Sequence, residues 1–202
     1  ILEGAAENFC AGADINEFSE LSKAQVSGQD HFRFIREFPV PIIAKIRGYC
    51  LGGGLETALS CDFRIAEEGA SLGFPEVDLG IIPGAGGVPL MSTVASPAAA
   101  LELAMTGTHI NADRALELGI VNRVHDARFD AAVEEFAQTI ASKPPLAIQA
   151  IKRSVRVTTE GGAEAGIRYD RQQFESLNST EDHAEGVRGF RNQDHEPVFE
   201  GQ

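Results

Sequence analysis

Three consecutive glycines, Gly52, Gly53 and Gly54, sit between an apolar run and a short helical pattern, and they restrict what this chain can fold into more than any other feature. The run before them, Pro41 to Cys50 (PIIAKIRGYC), reads as a buried strand, and Leu55 to Ser60 reads as a short helix. A strand that enters a helix through glycines leaves backbone N–H groups unpaired at the helix start, where the helix dipole adds partial positive charge. Such a place suits a phosphate or a developing oxyanion. The plainer reading is a tight turn that needs glycine for steric room. Nucleotide motifs are excluded directly. A Walker loop requires Gly-Lys-Ser/Thr, whereas Leu55 and Glu56 follow Gly54. A dinucleotide fingerprint requires glycine where Thr57 stands, or where Pro89 stands if it is read from Gly84.

Around this turn the first part of the chain alternates short apolar runs with glycine-rich turns and helices, an α/β pattern. Phe63 to Ala66 and Ala70 to Phe74 read as strands joined by a turn at Glu67 to Gly69. Ser96-Pro97 opens a helix that Gly107 closes, Asn111 opens another that Gly119 ends, and Val121 to Val124 reads as a last strand. Beyond Asp126 the character changes. Phe129, Val133, Phe136, Ala137 and Ile140 recur at helical spacing until Lys143-Pro144-Pro145 stops them. Helical patterns follow at 147–156, 163–177 and 180–190, the last opened by Ser179 to Asp182 as a capping box. The expected plan is an α/β core over 1–125 and a helical region over 126–202, with 17–40 a weakly specified helix or loop.

A chain of 202 residues holds one well-buried domain and an appendage. A formal charge of −13 argues against a nucleic-acid face, so any anionic ligand must be met by local basic groups and backbone amides. No run is long and apolar enough to span a bilayer. Cys10, Cys50 and Cys61 are odd in number and lie among apolar residues, which reads as free thiols in a reducing compartment. The opening ILEGAAENFCAG reads as the tail of a strand that starts outside this sequence, and a targeting segment would lie there with it. No histidine or cysteine pair has metal-ligand spacing, and the five histidines read as surface or capping groups.

Two carboxylates stand at chemically suggestive places. Glu56 falls in the first turn of the helix after the glycines. Glu76 follows Pro75 at a strand end and precedes Val77 to Pro83, where only Asp78 is charged. A carboxyl group among Leu79, Ile81 and Ile82 is desolvated, which raises its pKa towards an acid–base range. The bland alternative for either is a solvated surface group. Gly69-Ala70-Ser71-Leu72-Gly73 matches the G-x-S-x-G nucleophile pattern, but Phe74-Pro75 follows where a helix would have to open.

Four segments in this order, NFCAGADI (8–15), GYCLGGGLETA (48–58), GFPEVDLG (73–80) and IIPGAGG (81–87), resemble the enoyl-CoA hydratase/isomerase (crotonase) superfamily. TGTHINADRALELGIVNRV (106–124) extends the likeness, which fades towards EPVF at 196–199. The resemblance implies a spiral of ββα turns, its first turn absent from this chain, followed by helices that form a homotrimer or a dimer of trimers. Among the members, it is most like the hydratases that carry two glutamates. It implies that Glu56 orients and deprotonates water and that Glu76 delivers a proton to Cα. It places an oxyanion hole at the amides of Ala13 and Gly53, water positioning at Gly84, and CoA contacts at Ala11, Ala13, Asp14 and Ile15. It implies no separate cofactor, since coenzyme A belongs to the substrate, and no nucleic-acid or membrane partner. The implied compartment is the bacterial cytoplasm, with the mitochondrial matrix as the other option. Double-bond isomerases, C–C hydrolases and non-catalytic CoA binders of the same fold are the competing readings. Two stretches depart from the family pattern. GGVPLM (86–91) puts Pro89 at a helix start, and RNQDHEPVF (191–199) lacks the usual basic run, which leaves the CoA phosphate ligands open.

Overall fold

The computed structural model describes residues 1–13, 30–192 and 194–202. The chain divides into two units, Ile1–Phe38 with Ile42–Val133, and Pro39–Pro41 with Glu134–Gln202.

In the first unit the strands β1 (Leu2–Glu3), β2 (Ile43–Ile46), β4 (Phe63–Glu67) and β7 (Arg123–His125) form a parallel sheet in the order β1-β2-β4-β7. A second sheet has β3 (Tyr49–Leu51), β5 (Ser71–Gly73) and β6 (Ile110–Asn111), with β5 parallel to β3 and antiparallel to β6. The single strand expected over Pro41 to Cys50 is therefore two strands in two sheets. Gly48 makes the corner with φ +56, a conformation that glycine tolerates, and its bare Cα lies against the Asn8 side chain. Asn8 Oδ1 accepts from Tyr49 N at 2.8 Å and so holds the start of β3. Hydropathy reads through this corner because both strands are buried. Each of two successive strand pairs, β2–β3 and β4–β5, gives its first strand to one sheet and its second to the other.

Helix α1 spans Asp30–Glu37, α2 Gly53–Ser60, α3 Gly87–Val94, α4 Pro97–Thr106 and α5 Ala112–Glu117. The expected caps of α4 and α5 are in place. Ser96 Oγ accepts from Ala99 N, Asn111 Oδ1 accepts from Arg114 N, and Gly107 closes α4 in the left-handed conformation. The last strand begins at Arg123 rather than Val121, because Asn122 is taken up in side-chain and backbone bonds with Arg64. Ile46, Leu55, Ala58, Leu72, Phe74, Met91 and Ile120 form the centre of the core. Ser71 lies within β5 and no helix opens at it, so the nucleophile-elbow geometry is not formed.

Helix α6 (Phe129–Ala141) runs from the first unit into the second. The second unit then has α7 (Pro145–Gly161), α8 (Ala163–Leu177) and α9 (Glu181–Arg191). Helices α7 and α8 pack on each other with the bare Cα of Gly166 against the Thr158 side chain. The cap of α9 is Thr180, whose Oγ1 accepts from His183 N, one residue later than the Ser179 expected. Ser179 Oγ instead donates to Ser176 O and finishes the preceding helix. No described helix is long and apolar enough to cross a membrane.

Candidate active site

Each glycine of the triplet has a different physical reason to be glycine. Gly52 has φ +54, and a Cβ there would lie 2.9 Å from Glu76 Oε1. Gly54 rests on the carbonyl of Cys10, and a Cβ would overlap it. Gly53 between them has no atom of another described segment within 4 Å of a Cβ position. As the first residue of α2 it has an N–H with no acceptor inside the helix. Steric need explains the outer two glycines, while the middle one, half-buried, meets no such constraint among the described residues.

The loop ahead of Gly12 is tied to this place. Cys10 N donates to Tyr49 O at 3.0 Å and Cys10 O accepts from Leu51 N at 2.9 Å, so residues 9–10 run beside β3 to the start of α2. Ala11 and Ala13 follow in an exposed stretch, with Gly12 at φ +104. Asp14 and Ile15 lie outside the described residues.

Glu56 projects from the first turn of α2 and is 4% exposed. Its Oε1 accepts from Ala85 N at 2.7 Å and from Gly87 N at 2.8 Å. Gly87 is the first residue of α3, whose own cap position, Gly86, offers no side chain. The Glu56 carboxylate thus caps a helix that lies 31 residues away in sequence. Gly87 fits because a Cβ would lie 2.8 Å from both Phe74 and Pro83. Burial raises the Glu56 pKa, and the amides of Gly87 and Ala85, with the field of His31, oppose that rise.

Glu76 stands on a single 3-10 turn, Pro75–Leu79. Its Oε2 is buried with no partner among the described residues. Burial raises its pKa, a hydrogen bond from its own backbone N–H opposes, and the charge of Glu56 adds to the rise. The two carboxyls therefore interact electrostatically in unequal settings, one held by two amides from another segment and the other with one oxygen that has no partner among the described residues. Gly84 is exposed and adjoins Ala85.

The structure thus gathers Glu56, Glu76 and Gly53 at one end of α2, with the loop to Ala13 beside them. The amides of Ala85 and Gly87 and the nearby His31 were not singled out from the sequence. A glycine before a helix signalled Gly87, but nothing local signalled what its N–H would meet. Among the described residues no three His, Cys, Asp or Glu side chains gather as a metal set.

Comparison with known proteins decides the lineage. The model of the enoyl-CoA hydratase/isomerase family matches residues 1–202. The chain belongs to this family. A Mycosarcoma maydis enoyl-CoA isomerase/hydratase is 38% identical over 209 residues, covering 100% of this chain and 76% of the relative. The 2,3-dehydroadipyl-CoA hydratase of Escherichia coli K12 is 36% identical, covering 100% of this chain and 80% of the relative. A crystal structure of an enoyl-CoA hydratase from Bacillus anthracis superposes with a TM-score of 0.93 at 36% identity, over 99% of this chain and 80% of that one. The α/β core with a helical C-terminal region is therefore the crotonase fold.

Proposed function

We propose that this protein is an enoyl-CoA hydratase that adds water across the α,β double bond of an acyl-CoA thioester. The observation that carries the reading is the pair of inward carboxyls in unequal environments. Glu56, its charge stabilised by two amides, is the base. It takes one proton from water as the water oxygen bonds to Cβ. Glu76, whose Oε2 has no partner among the described residues, has a pKa raised by burial and by its neighbour's charge, so it is the acid and gives a proton to Cα. The π electrons of the double bond move towards the thioester oxygen in the addition and return to form the C–H bond. The amides of Gly53 and Ala13 are the donors for that oxygen, and their bonds strengthen as negative charge develops on it. Gly84, beside the Ala85 amide that holds Glu56, lies where the water is positioned. The exposed backbone of Ala11 to Ala13, continuing into Asp14 and Ile15, takes the CoA moiety, and no cofactor beyond the substrate's coenzyme A is needed.

Isomerisation is the second reading, because the Mycosarcoma relative is named for both reactions. A panel of 2-enoyl- and 3-enoyl-CoA thioesters separates the two. Hydration removes the ultraviolet absorbance of conjugated 2-enoyl substrates, whereas an isomerase creates that absorbance from 3-enoyl substrates. Turnover of 3-enoyl substrates alone would overturn the hydratase reading, and binding without turnover of either would leave a CoA-binding homologue. The working assembly is a homotrimer or a dimer of trimers. Ile151 and Val155, exposed one turn apart on α7, supply apolar surface for association. Sedimentation should give three or six chains, and a monomer at micromolar concentration would overturn this part.

A further inference from the structure

Arg64 is the one arginine in the described core. It is 5% exposed, and burial pulls its pKa below the usual guanidinium range. Its side-chain hydrogen bonds all go to backbone carbonyls. Nε donates to Ile120 O at 2.6 Å, and Nη1 donates to Cys61 O at 2.9 Å and Ala58 O at 3.4 Å. Ala58 lies in the last turn of α2 and Cys61 is its C-terminal cap. The last turn of α2 has no basic residue of its own, so Arg64 supplies the cation that its negative dipole end favours. The backbone of Arg64 is fixed in turn. Its N–H donates to Asn122 Oδ1 and its carbonyl accepts from Asn122 N, both at 2.8 Å.

The other end of the same helix holds Gly53 and Glu56. Eight residues span about 12 Å, so the two ends move as one rigid piece. The first two residues of α2 are glycines and have no side chain to wedge against the core. Leu55, Ala58 and Leu59 bury the flank of the helix, and burial of this kind is non-directional, so polar bonds at the helix ends add the directional part of its placement. Directional bonds hold both ends: Glu56 with the amides of Ala85 and Gly87 at the N-terminal end, and Arg64 with the carbonyls of Ala58 and Cys61 at the C-terminal end.

We propose that Arg64 is a positioning residue for the reaction. By gathering the carbonyls of Ala58, Cys61 and Ile120 it sets the axial place of α2, and through it the place of the Gly53 amide and the Glu56 carboxyl. The inference rests on the hydratase reading above. It adds a residue that touches no substrate but controls how well the oxyanion donor and the base are aimed, a tolerance of about 0.5 Å.

The test is kinetic, on the full chain with 2-enoyl-CoA. Arg64→Met keeps the length and apolar stem and removes the donors, and Arg64→Lys keeps a charge and a donor head. Val133→Ala, in a core position remote from α2 in sequence, serves as a variant that is destabilised without touching the helix. The expected result is a fall in kcat of about 10–10²-fold for Arg64→Met, the scale of a misplacement near 1 Å. KM should change by less than about threefold, since the uniform binding contacts stay, and Arg64→Lys should recover part of the loss. Val133→Ala should melt earlier with kcat unchanged. If Arg64→Met does not fold, the ratio of kcat to KM effects in Arg64→Lys carries the test. A folded Arg64→Met with kcat within twofold of wild type would overturn the inference, as would an equal loss of kcat in Val133→Ala. A wild-type protein with no turnover of any enoyl-CoA would overturn the hydratase reading itself, and this inference with it.

Discussion

The candidate-site end of α2 and the C-terminal segment around α9 use the same device for different ends. In each, a carboxylate only 4% exposed accepts two backbone N–H groups from a distant turn. Asp182 divides the work between its oxygens, taking Glu200 N on Oδ1 at 2.8 Å and Gly201 N on Oδ2 at 3.0 Å. Glu56 takes both amides on Oε1, so its second oxygen carries neither, and a second carboxyl stands close enough to shift its neighbour's pKa. Using both oxygens makes a staple that closes the tail from Asp194 to Gln202 onto α9. Leaving one oxygen free of both amides and setting the group near a second buried carboxyl is the arrangement that the proposed proton transfer uses. The lesson is that burial and amide bonding alone do not mark a catalytic carboxylate. What differs at Glu56 is an oxygen that takes neither amide and a second carboxyl that feels its charge.

The comparison breaks if the two carboxylates respond alike to mutation. Glu56→Gln and Glu76→Gln are each expected to lower kcat by about 10²–10⁴-fold, the usual contribution of one positioned acid or base. The double mutant should fall far short of the product of the two. Steady-state hydration rates check this, and full activity in either single mutant would refute the paired mechanism.

Next in size is the backbone donor. Ala13→Pro deletes the N–H and is expected to cost about 10²–10³ in kcat, while Ala13→Gly keeps it and retains most activity. Matched oligomeric state and circular dichroism are required of both. Equal rates in the two variants would remove Ala13 from the oxyanion hole and leave Gly53 alone.

Asp182→Ala tests the structural member of the comparison. It leaves the amides of Glu200 and Gly201 without their acceptor, at a cost of about 1–3 kcal/mol, which lowers the melting temperature by several degrees in a chain of this size. Hydration per folded molecule should stay within about twofold. A loss of kcat comparable to that of Glu56→Gln would erase the distinction.

The smallest effect has the opposite sign. Burial, with the charge of Glu56 behind it, raises the Glu76 pKa above its ordinary value. Its ionisation therefore costs stability. That stability is intact at pH below the unfolded carboxylate value and is lost as pH rises through the folded one. Glu76→Gln should accordingly melt slightly higher than wild type at neutral pH, with the difference vanishing in acid. Melting curves at both pH values would expose a wrong sign. In activity, the rate should fall on the acid side as Glu56 is protonated and on the alkaline side as Glu76 ionises.

Local signals in the sequence were reliable where one short segment decides the outcome. Ser96, Asn111 and Gly107 ended their helices because a cap needs only its own three or four neighbours. The strand from Pro41 to Cys50 was misread as one because its corner at Gly48 depends on Asn8, far away in sequence. Ser179 was taken for the cap of α9 because Ser179 and Thr180 carry the same hydroxyl chemistry. The preceding helix claimed Ser179 through Ser176 O.

By itself, then, the sequence determined the α/β core, the helical C-terminal region and the glycine turn followed by the carboxylates of Glu56 and Glu76. These follow from periodicity, turn chemistry and the steric demands of bare Cα atoms. Only the tertiary structure decided which amides hold Glu56, that Glu76 Oε2 has no partner among the described residues, and that Arg64 closes the far end of α2. Those outcomes depend on donors and acceptors from segments 29, 31 and 56 residues apart. A side chain's partners across such distances are set by how the sheets and helices pack, which no local pattern encodes.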